Sequence, residues 1–319
     1  MTIGRITSLA LAALLLSTAA PTPAAAQTRL VMAGSSAGGT AYLYFAALSP
    51  MLNKYIPGME ASARSGGSSE NVVLLERGTV QVAGAAPGDA QGVFGKEAMA
   101  KSRIRTLFAM FNIPYHILVP RASSIQSFAD LKGKRLSIGI KAGGDSAAFL
   151  RIVDALGLKE GDYRLDYLGK GEGVNAYKDS VVDAMGFLCP LPCPLVTELA
   201  THPRGARLLP LKSDEIAKVS AKFDWYTDYT IEKNWYAHAL KDEAKDVPSF
   251  TEWFYVAARD DFPEEIAYQI AKVIGDHHDE LVASFRAANS STSANTAKYP
   301  GFKLHAGTER YLREKGLLK

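Results

Sequence analysis

Apolar positions in this chain follow two alternating periods. Short runs such as "RLVMA" (29–33), "MEASA" (59–63), "VQVAGAA" (80–86) and "RLSIGI" (135–140) read as strands. Between them, apolar residues three and four apart predict helices. These are "TAYLYFAALSPMLNKYI" from Thr40, with a kink at Pro50, "SENVVLLERG" closed by Gly78, "SAAFLRIVDALG" ended by Gly157, and "PLVTELATH". "SDEIAKVSAKF" is another, with Ser213 as its cap. "PGDAQGVFG" reads as a turn leading into a short helix, and Ser127 and Asp130 bracket a single helical turn before Gly133.

"TLFAMFN" (106–112) and "YHILVP" (115–120) read as two strands; "YRLDYL", "DAMGFL" and "ARLLPL" add three more. Asp224 to Val247 is irregular and rich in aromatics. "SFTEWFYVAAR" is a strand, and one long helix runs from Pro263 to about residue 288. A loop and a closing helix, "GTERYLREKG", complete the chain. Strands that alternate with helices predict an α/β architecture of mainly parallel sheets flanked by helices. In such sheets ligands sit at the carboxyl ends of strands, against helix N-termini.

The first 26 residues break this pattern. Arg5, then the apolar "ITSLALAALLL", then Ala24-x-Ala26 predict a secretory signal peptide cleaved near Ala26 and hence an exported protein. Roughly 290 residues remain, a length typical of two domains. The formal net charge of +3 becomes +2 once Arg5 is removed, and no basic block is present, which argues against nucleic acid as a partner.

The two cysteines, Cys189 and Cys193, lie in "CPLPCPL". Export permits a disulfide, whereas the prolines favour an extended path that would hold the Cα atoms beyond about 7 Å unless the loop turns back. Both readings stand. Two thiols without a second ligand pair do not make a zinc site, and the six histidines form no metal motif. No cofactor is called for.

Four strand-to-helix loops are candidates for chemistry: "GSSAGGT" (34–40), "RSGGSSE" (64–70), "APGDA" (86–90) and "KAGGDS" (141–146). Unpaired N–H groups and a partial positive charge at a helix N-terminus suit a carboxylate or phosphate, and small residues let it approach. Taken singly, such loops are ordinary turns and caps. Four of them in one α/β chain point to a ligand cleft.

The first loop also matches G-x-S-x-G around Ser36, but it follows the first strand of the mature chain, so no upstream segment supplies the rest of an oxyanion hole. Thr40 stands where a P-loop requires Lys, and G-x-G-x-x-G is absent. In "FDWYTDYTIEKNWY", Trp225, Tyr226 and Tyr229 either pack a domain junction or wall the cleft.

"AGSSAGGTAYLYFAALSPMLNKY", "RSGGSSENVVLLERGTVQVAGAAPGDA", "SSIQSFADLKGKRLSIGI" and "LHAGTERYLREKG" together resemble the solute-binding receptors of TRAP transporters of the TAXI class, over nearly all of the mature chain. The resemblance implies a two-lobed type II periplasmic binding protein with a ligand cleft between lobes. Lobe I would be 27–117 plus 250–319, lobe II 118–225, and 226–249 the crossing. It implies a periplasmic receptor, not an enzyme, that captures a small organic acid and delivers it to membrane-embedded permease subunits. Dicarboxylates or acidic amino acids such as glutamate or 2-oxoglutarate come first, an aromatic or branched acid second.

Carried over by motif, the ligand-binding residues would be Gly39 and Thr40 after Gly38, with Tyr42 and Tyr44; Ser65, Gly66, Gly67 and Ser68; Pro87, Gly88 and Asp89; Gly143, Gly144, Asp145 and Ser146; and Cys189 and Pro190. Pro87-Gly88-Asp89 lacks the family's Gln amide, Asp145 stands unusually beside an anion site, and the Ile-Pro-Ala-Gly crossing becomes "IEKN". Arg64 replaces a small residue. Its planar donor fork either contacts ligand carboxylate or turns to solvent, Glu70 or Asp89. Two other functions are carried alongside: an exported hydrolase using Ser36, and a receptor of the same fold that reports ligand to a membrane sensor.

Overall fold

The computed structural model describes residues 28–35, 39–141, 143–299 and 301–319. The predicted signal segment and the Ser36–Gly38 stretch lie outside them, as does the side chain of Ser68. Among the described residues, no helix is long and apolar enough to cross a membrane.

Strands β1 (Thr28–Ala33), β2 (Met59–Arg64) and β3 (Val82–Ala85) pair in parallel, with β1 between the other two. Helices α1 (Thr40–Tyr55), α2 (Ser68–Glu76) and α3 (Pro87–Phe94) follow them in turn, and a short α4 (Lys96–Ala100) follows α3. The next strand, β4 (Ile104–Val119), is one continuous sixteen-residue element where the pattern predicts two. Pro114 does not end it. The buried sequence on both sides of Pro114 stays extended, and the strand changes partners as it passes that point.

The second half of the sheet is built on that far end of β4. It holds β5 (Arg135–Ser137), β6 (Arg164–Asp166), β7 (Ala184–Leu188) and β8 (Arg207–Leu208), with β5 parallel to β6 and β7. Helices α5 (Gly144–Ala155), α6 (Lys170–Lys178), α7 (Pro194–Thr201) and α8 (Ser213–Lys222) belong to this half. The single turn at 128–131 forms as the sequence predicts, with Asp130 Oδ2 accepting from the backbone N–H groups of Gln126 and Ser127 at 2.9 Å. Ser213 is not the cap of α8. It is already helical, and the Glu215 carboxylate accepts from Lys212 N instead.

The aromatic stretch contains β9 (Thr227–Ile231), which pairs antiparallel with β10 (Val247–Arg259). β10 then runs between β3 and β4, giving the order β2-β1-β3-β10-β4-β7-β5-β6. Thus β4 and β10 are antiparallel to their neighbours while the strands outside them are parallel.

The long C-terminal helix also differs from expectation. It breaks at His277, whose ring stacks on Tyr55 at 3.6 Å, leaving helices Glu264–Asp276 and His278–Ser284. The loop after them holds another short helix, Ser293–Lys298, whose Thr292 side chain caps Asn295 N. The last helix, Ala306–Glu314, is capped by His305.

That last helix crosses Glu264–Asp276 so closely that a Cβ on Gly307 would overlap the Glu264 carbonyl and lie 2.6 Å from Tyr268 N. Both are backbone atoms and cannot swing aside. Gly307→Ala is therefore expected to destabilise the fold by about 1–3 kcal/mol, lowering the thermal midpoint by several degrees. An unchanged midpoint would show that the two helices slide apart at no cost.

Candidate functional site

The residues at and after the ends of β1, β2, β3, β5, β6 and β7 line one cavity of about 810 Å³, with Phe111 and Ile113 of β4 and Glu252 and Phe254 of β10 as its remaining wall. All four candidate strand-to-helix loops contribute to it. Three of the helices that end there, α1, α2 and α5, have Gly39, Gly67 and Gly143 as N-caps. A glycine cap brings no side-chain acceptor to the first turn, so the positive end of each helix is left uncapped where its glycine lines the cavity. Asn71 ties these loops together. Its buried Nδ2 donates to the carbonyls of Ala33, Gly34 and Gly84, joining α2 to the ends of β1 and β3.

Of the residues singled out in the sequence, Gly39, Thr40, Gly67, Gly88, Asp89, Gly143, Gly144, Asp145 and Pro190 line the cavity. Ser68 lies outside the described side chains, and the rest do not line it, for separate reasons. Tyr44 is fully buried on the far side of α1, its hydroxyl 2.7 Å from Ser291 Oγ. Tyr42 lies off the cavity wall, and its backbone N–H donates to Ser35 Oγ.

Arg64 is exposed at the end of β2, away from the cavity, and no ion pair joins it to Glu70 or Asp89. Ser65 is exposed beside it, and Gly66 packs on the Asn71 side chain. Pro87 is the first residue of α3 and is buried without lining the cavity. Ser146 is turned inward, donating to the carbonyls of Ile140 at 2.8 Å and Gly143 at 3.0 Å.

Cys189 is buried and bonded to Cys193, so the open question of the disulfide resolves in favour of the bond. The loop does turn back, bringing the two Cα atoms to 5.8 Å, and the Leu191–Pro192 peptide within it is cis. Trp225, Tyr226 and Tyr229 do not touch the cavity directly. None of the six histidines lines the described cavity wall, and Ser36 lies outside the described residues.

The charged groups of the cavity fall into two sets. Asp145, in the first turn of α5, accepts from Leu188 N at 2.9 Å and lies 3.6 Å from Lys170 Nζ. Lys170 also donates to the Leu188 carbonyl at 2.8 Å. Burial pushes the Asp145 carboxyl up, and Lys170 partly offsets this. The unusual aspartate thus fastens α5 and α6 to the end of β7.

The second set was not foreseen. Glu252 is 5% exposed on β10, and its Oε1 accepts from Gly88 N at 3.1 Å, an anion seated on the first turn of α3. Glycine at position 88 leaves room for this contact, because a Cβ there would overlap Glu252 Oε1 and lie 2.6 Å from Trp225 Nε1, so a larger residue would displace one of those side chains. Asp89 is the next residue, half-buried, 3.5 Å from Ser69 Oγ.

Burial raises both carboxyls well above the usual range. Asp89 raises Glu252 further, and Arg151 counteracts this at both. Arg151, on α5, donates to Tyr226 Oη at 2.8 Å and lies 5.0 Å from the centre of the Trp225 ring. No ion pair joins it to either carboxyl among the described residues. A lone carboxylate inside the apolar run "SFTEWFYVAAR" was the available signal for Glu252, since such a residue is rarely buried without a task.

A model of the NMT1-like family matches residues 32–316. Among solved structures, the chain is similar to a protein from Xanthomonas citri bound to chloride ion, at 14% identity over 91% of this chain and 97% of that one, with a TM-score of 0.50. It is also similar to the periplasmic aliphatic sulphonate binding protein SsuA from Escherichia coli, at 15% identity over 85% and 82% of the two chains, TM-score 0.47. A third is the alkanesulfonate-binding protein SsuA from Xanthomonas axonopodis pv. citri bound to MOPS, at 17% identity over 91% and 85%, TM-score 0.44. At these identities the likeness concerns the fold alone, a mixed α/β architecture of the class that the alternating pattern of the sequence predicts.

Proposed function

The chain belongs to the NMT1-like family, and from that premise we propose that it is an extracytoplasmic solute-binding receptor serving a membrane transporter. Its solute is a small organic acid, and the TAXI class of TRAP transporters is the system its motifs fit best. Residues 27–117 with 250–319, and 118–225, act as lobes that close on the solute, with 226–249 as the crossing. The first 26 residues direct export to the periplasm, where the chain hands its ligand to permease subunits.

The observation that carries this reading is the convergence of three glycine-capped helix N-termini on one cavity, α1 and α2 from one half of the sheet and α5 from the other. An acid group bound between them gains contacts from both halves, which is what draws two lobes together. The volume of about 810 Å³ is within the range for a small-molecule site. Two large apolar side chains of the lining, Val93 on α3 and Ile140 beyond β5, are 41% and 60% exposed, one on each side. Closure gives both a surface to bury against.

The test is thermal unfolding of the mature protein, first unfolded and refolded to strip carried ligand, against a panel of organic acids and amino acids. One small class is expected to stabilise the fold saturably, by about 2.7 kcal/mol at 100 times its dissociation constant, raising the midpoint by several degrees. A flat response to every acid, from protein that still melts cooperatively, would sink the proposal.

A further inference from the structure

Sorted by what they already touch, the charges of the cavity leave an excess of acid. Asp145 and Lys170 satisfy each other and the backbone of Leu188. Glu70 is exposed on α2. What remains inside is Asp89 and Glu252 against a single base, Arg151. Arg151 is already committed to Tyr226 Oη and to the Trp225 ring. Glu252 Oε2 has no hydrogen-bond partner among the described residues, although the residue is 5% exposed and lines the cavity. A buried carboxylate in this state costs free energy unless something in the site completes it.

We propose, resting on the receptor reading above, that the ligand carries a primary ammonium group, held between the carboxyls of Asp89 and Glu252. An ammonium has three donors and no acceptor, so it suits two carboxyls with free oxygens. The acid group of the same molecule then lies toward α1, α2 and α5, and the solute is an amino acid or a related amino-carboxylate. A 2-oxo acid would turn a neutral carbonyl oxygen, and a simple dicarboxylate a methylene, toward Asp89 and Glu252, leaving both carboxyls without a donor, and would bind more weakly. A metal ion does not fill the place equally well. No group of three or more potential ligands that could hold one occurs among the described residues, and hard cations take six or more oxygens.

The experiment is calorimetric titration of stripped, refolded mature protein with matched pairs that differ only in the amine: glutamate with glutarate, and leucine with 4-methylpentanoate. The expected result is at least about tenfold tighter binding of the amine-bearing member of one pair, with heats that change with the buffer as binding releases a proton from the carboxyl pair. If the member without the α-amine binds as tightly, or if 2-oxoglutarate does, the ammonium inference is overturned while the receptor reading stands. If no compound of either pair binds while an acid of the panel without an amine does, the ammonium inference is overturned and the receptor reading stands; if every acid of the panel is silent too, the receptor reading falls as well.

Discussion

Glu252→Gln is expected to bind an amine-bearing ligand about 10- to 100-fold more weakly than the parent chain, yet to unfold at a higher temperature at about pH 8. The two effects have one cause. Glutamine keeps the shape and the acceptor for Gly88 N but loses the charge, and a hydrogen bond to a charged partner is worth about 1.5–3 kcal/mol.

In the empty protein that same charge is a burden. Burial and the neighbouring Asp89 raise the Glu252 pKa above its ordinary 4.5, with Arg151 opposing, and Tyr226 and Tyr255 are the other titratable groups electrostatically coupled to it. Between the unfolded and folded values the folded state binds more protons, so stability is full below the unfolded value and is lost as pH rises through the folded one. Each unit of such a shift is worth about 1.4 kcal/mol, so the variant should gain on the order of 2 kcal/mol over the parent at about pH 8 and almost nothing at about pH 4. Thermal scans at the two pH values, with a titration of the best ligand from the panel, check both halves. A variant that is less stable at high pH would show that Glu252 is ionised and well compensated in the empty cavity. The trade of stability for binding is what a pre-formed polar site demands.

The sequence carries the frame of this molecule well and its chemistry less well. Parallel strands followed by helices are local patterns, and β1, α1, β2, α2 and β3 form where the apolar periods place them. What local pattern does not contain is partner choice. Nothing near Pro114 tells that β4 continues into a second half of the sheet, because its extended state there is fixed by β10, β7 and β8, which lie far along the chain. β9 was hidden for the same reason, as its ladder with β10 is non-local.

In the site, Gly/Ser loops announce themselves by composition, which is why Gly39, Gly67 and Gly143 are legible. Which way a side chain points is not. Tyr44 and Ser146 sit one helical face or one turn away from the cavity, and Arg64 falls at the exposed end of its strand. The residues missed, Glu252 and Arg151, lie inside regular elements, where a charge in an apolar pattern is the only sign and no glycine marks it.

Arg151→Met is expected to cost about 3 kcal/mol of stability at about pH 8 and distinctly less at about pH 5. The side chain spans the middle of the molecule. It starts on α5, reaches Tyr226 Oη at 2.8 Å beside β9, and comes within 4.0 Å of where a Cβ on Gly92 of α3 would be. Methionine fills similar apolar volume, so what is lost is the Tyr226 hydrogen bond, the contact with Trp225, and above all the one positive charge opposing Asp89 and Glu252.

Removing one side of a buried charge group is costly because the other side is left uncompensated, by about 3–5 kcal/mol where burial is complete. At low pH both carboxyls take up protons, and their need for the arginine disappears. The remaining loss is then the neutral hydrogen bond and the ring contact, about 1–2 kcal/mol together. The same logic predicts non-additivity. In a Glu252→Gln background, Arg151→Met should cost less than in the parent, because one of the two acids it balances has already gone. Denaturant unfolding of the four proteins at both pH values measures this coupling. A penalty that is the same at both, and the same in both backgrounds, would mean that Arg151 acts only by packing on Trp225 and Tyr226, and that the acid pair is balanced by something other than this arginine.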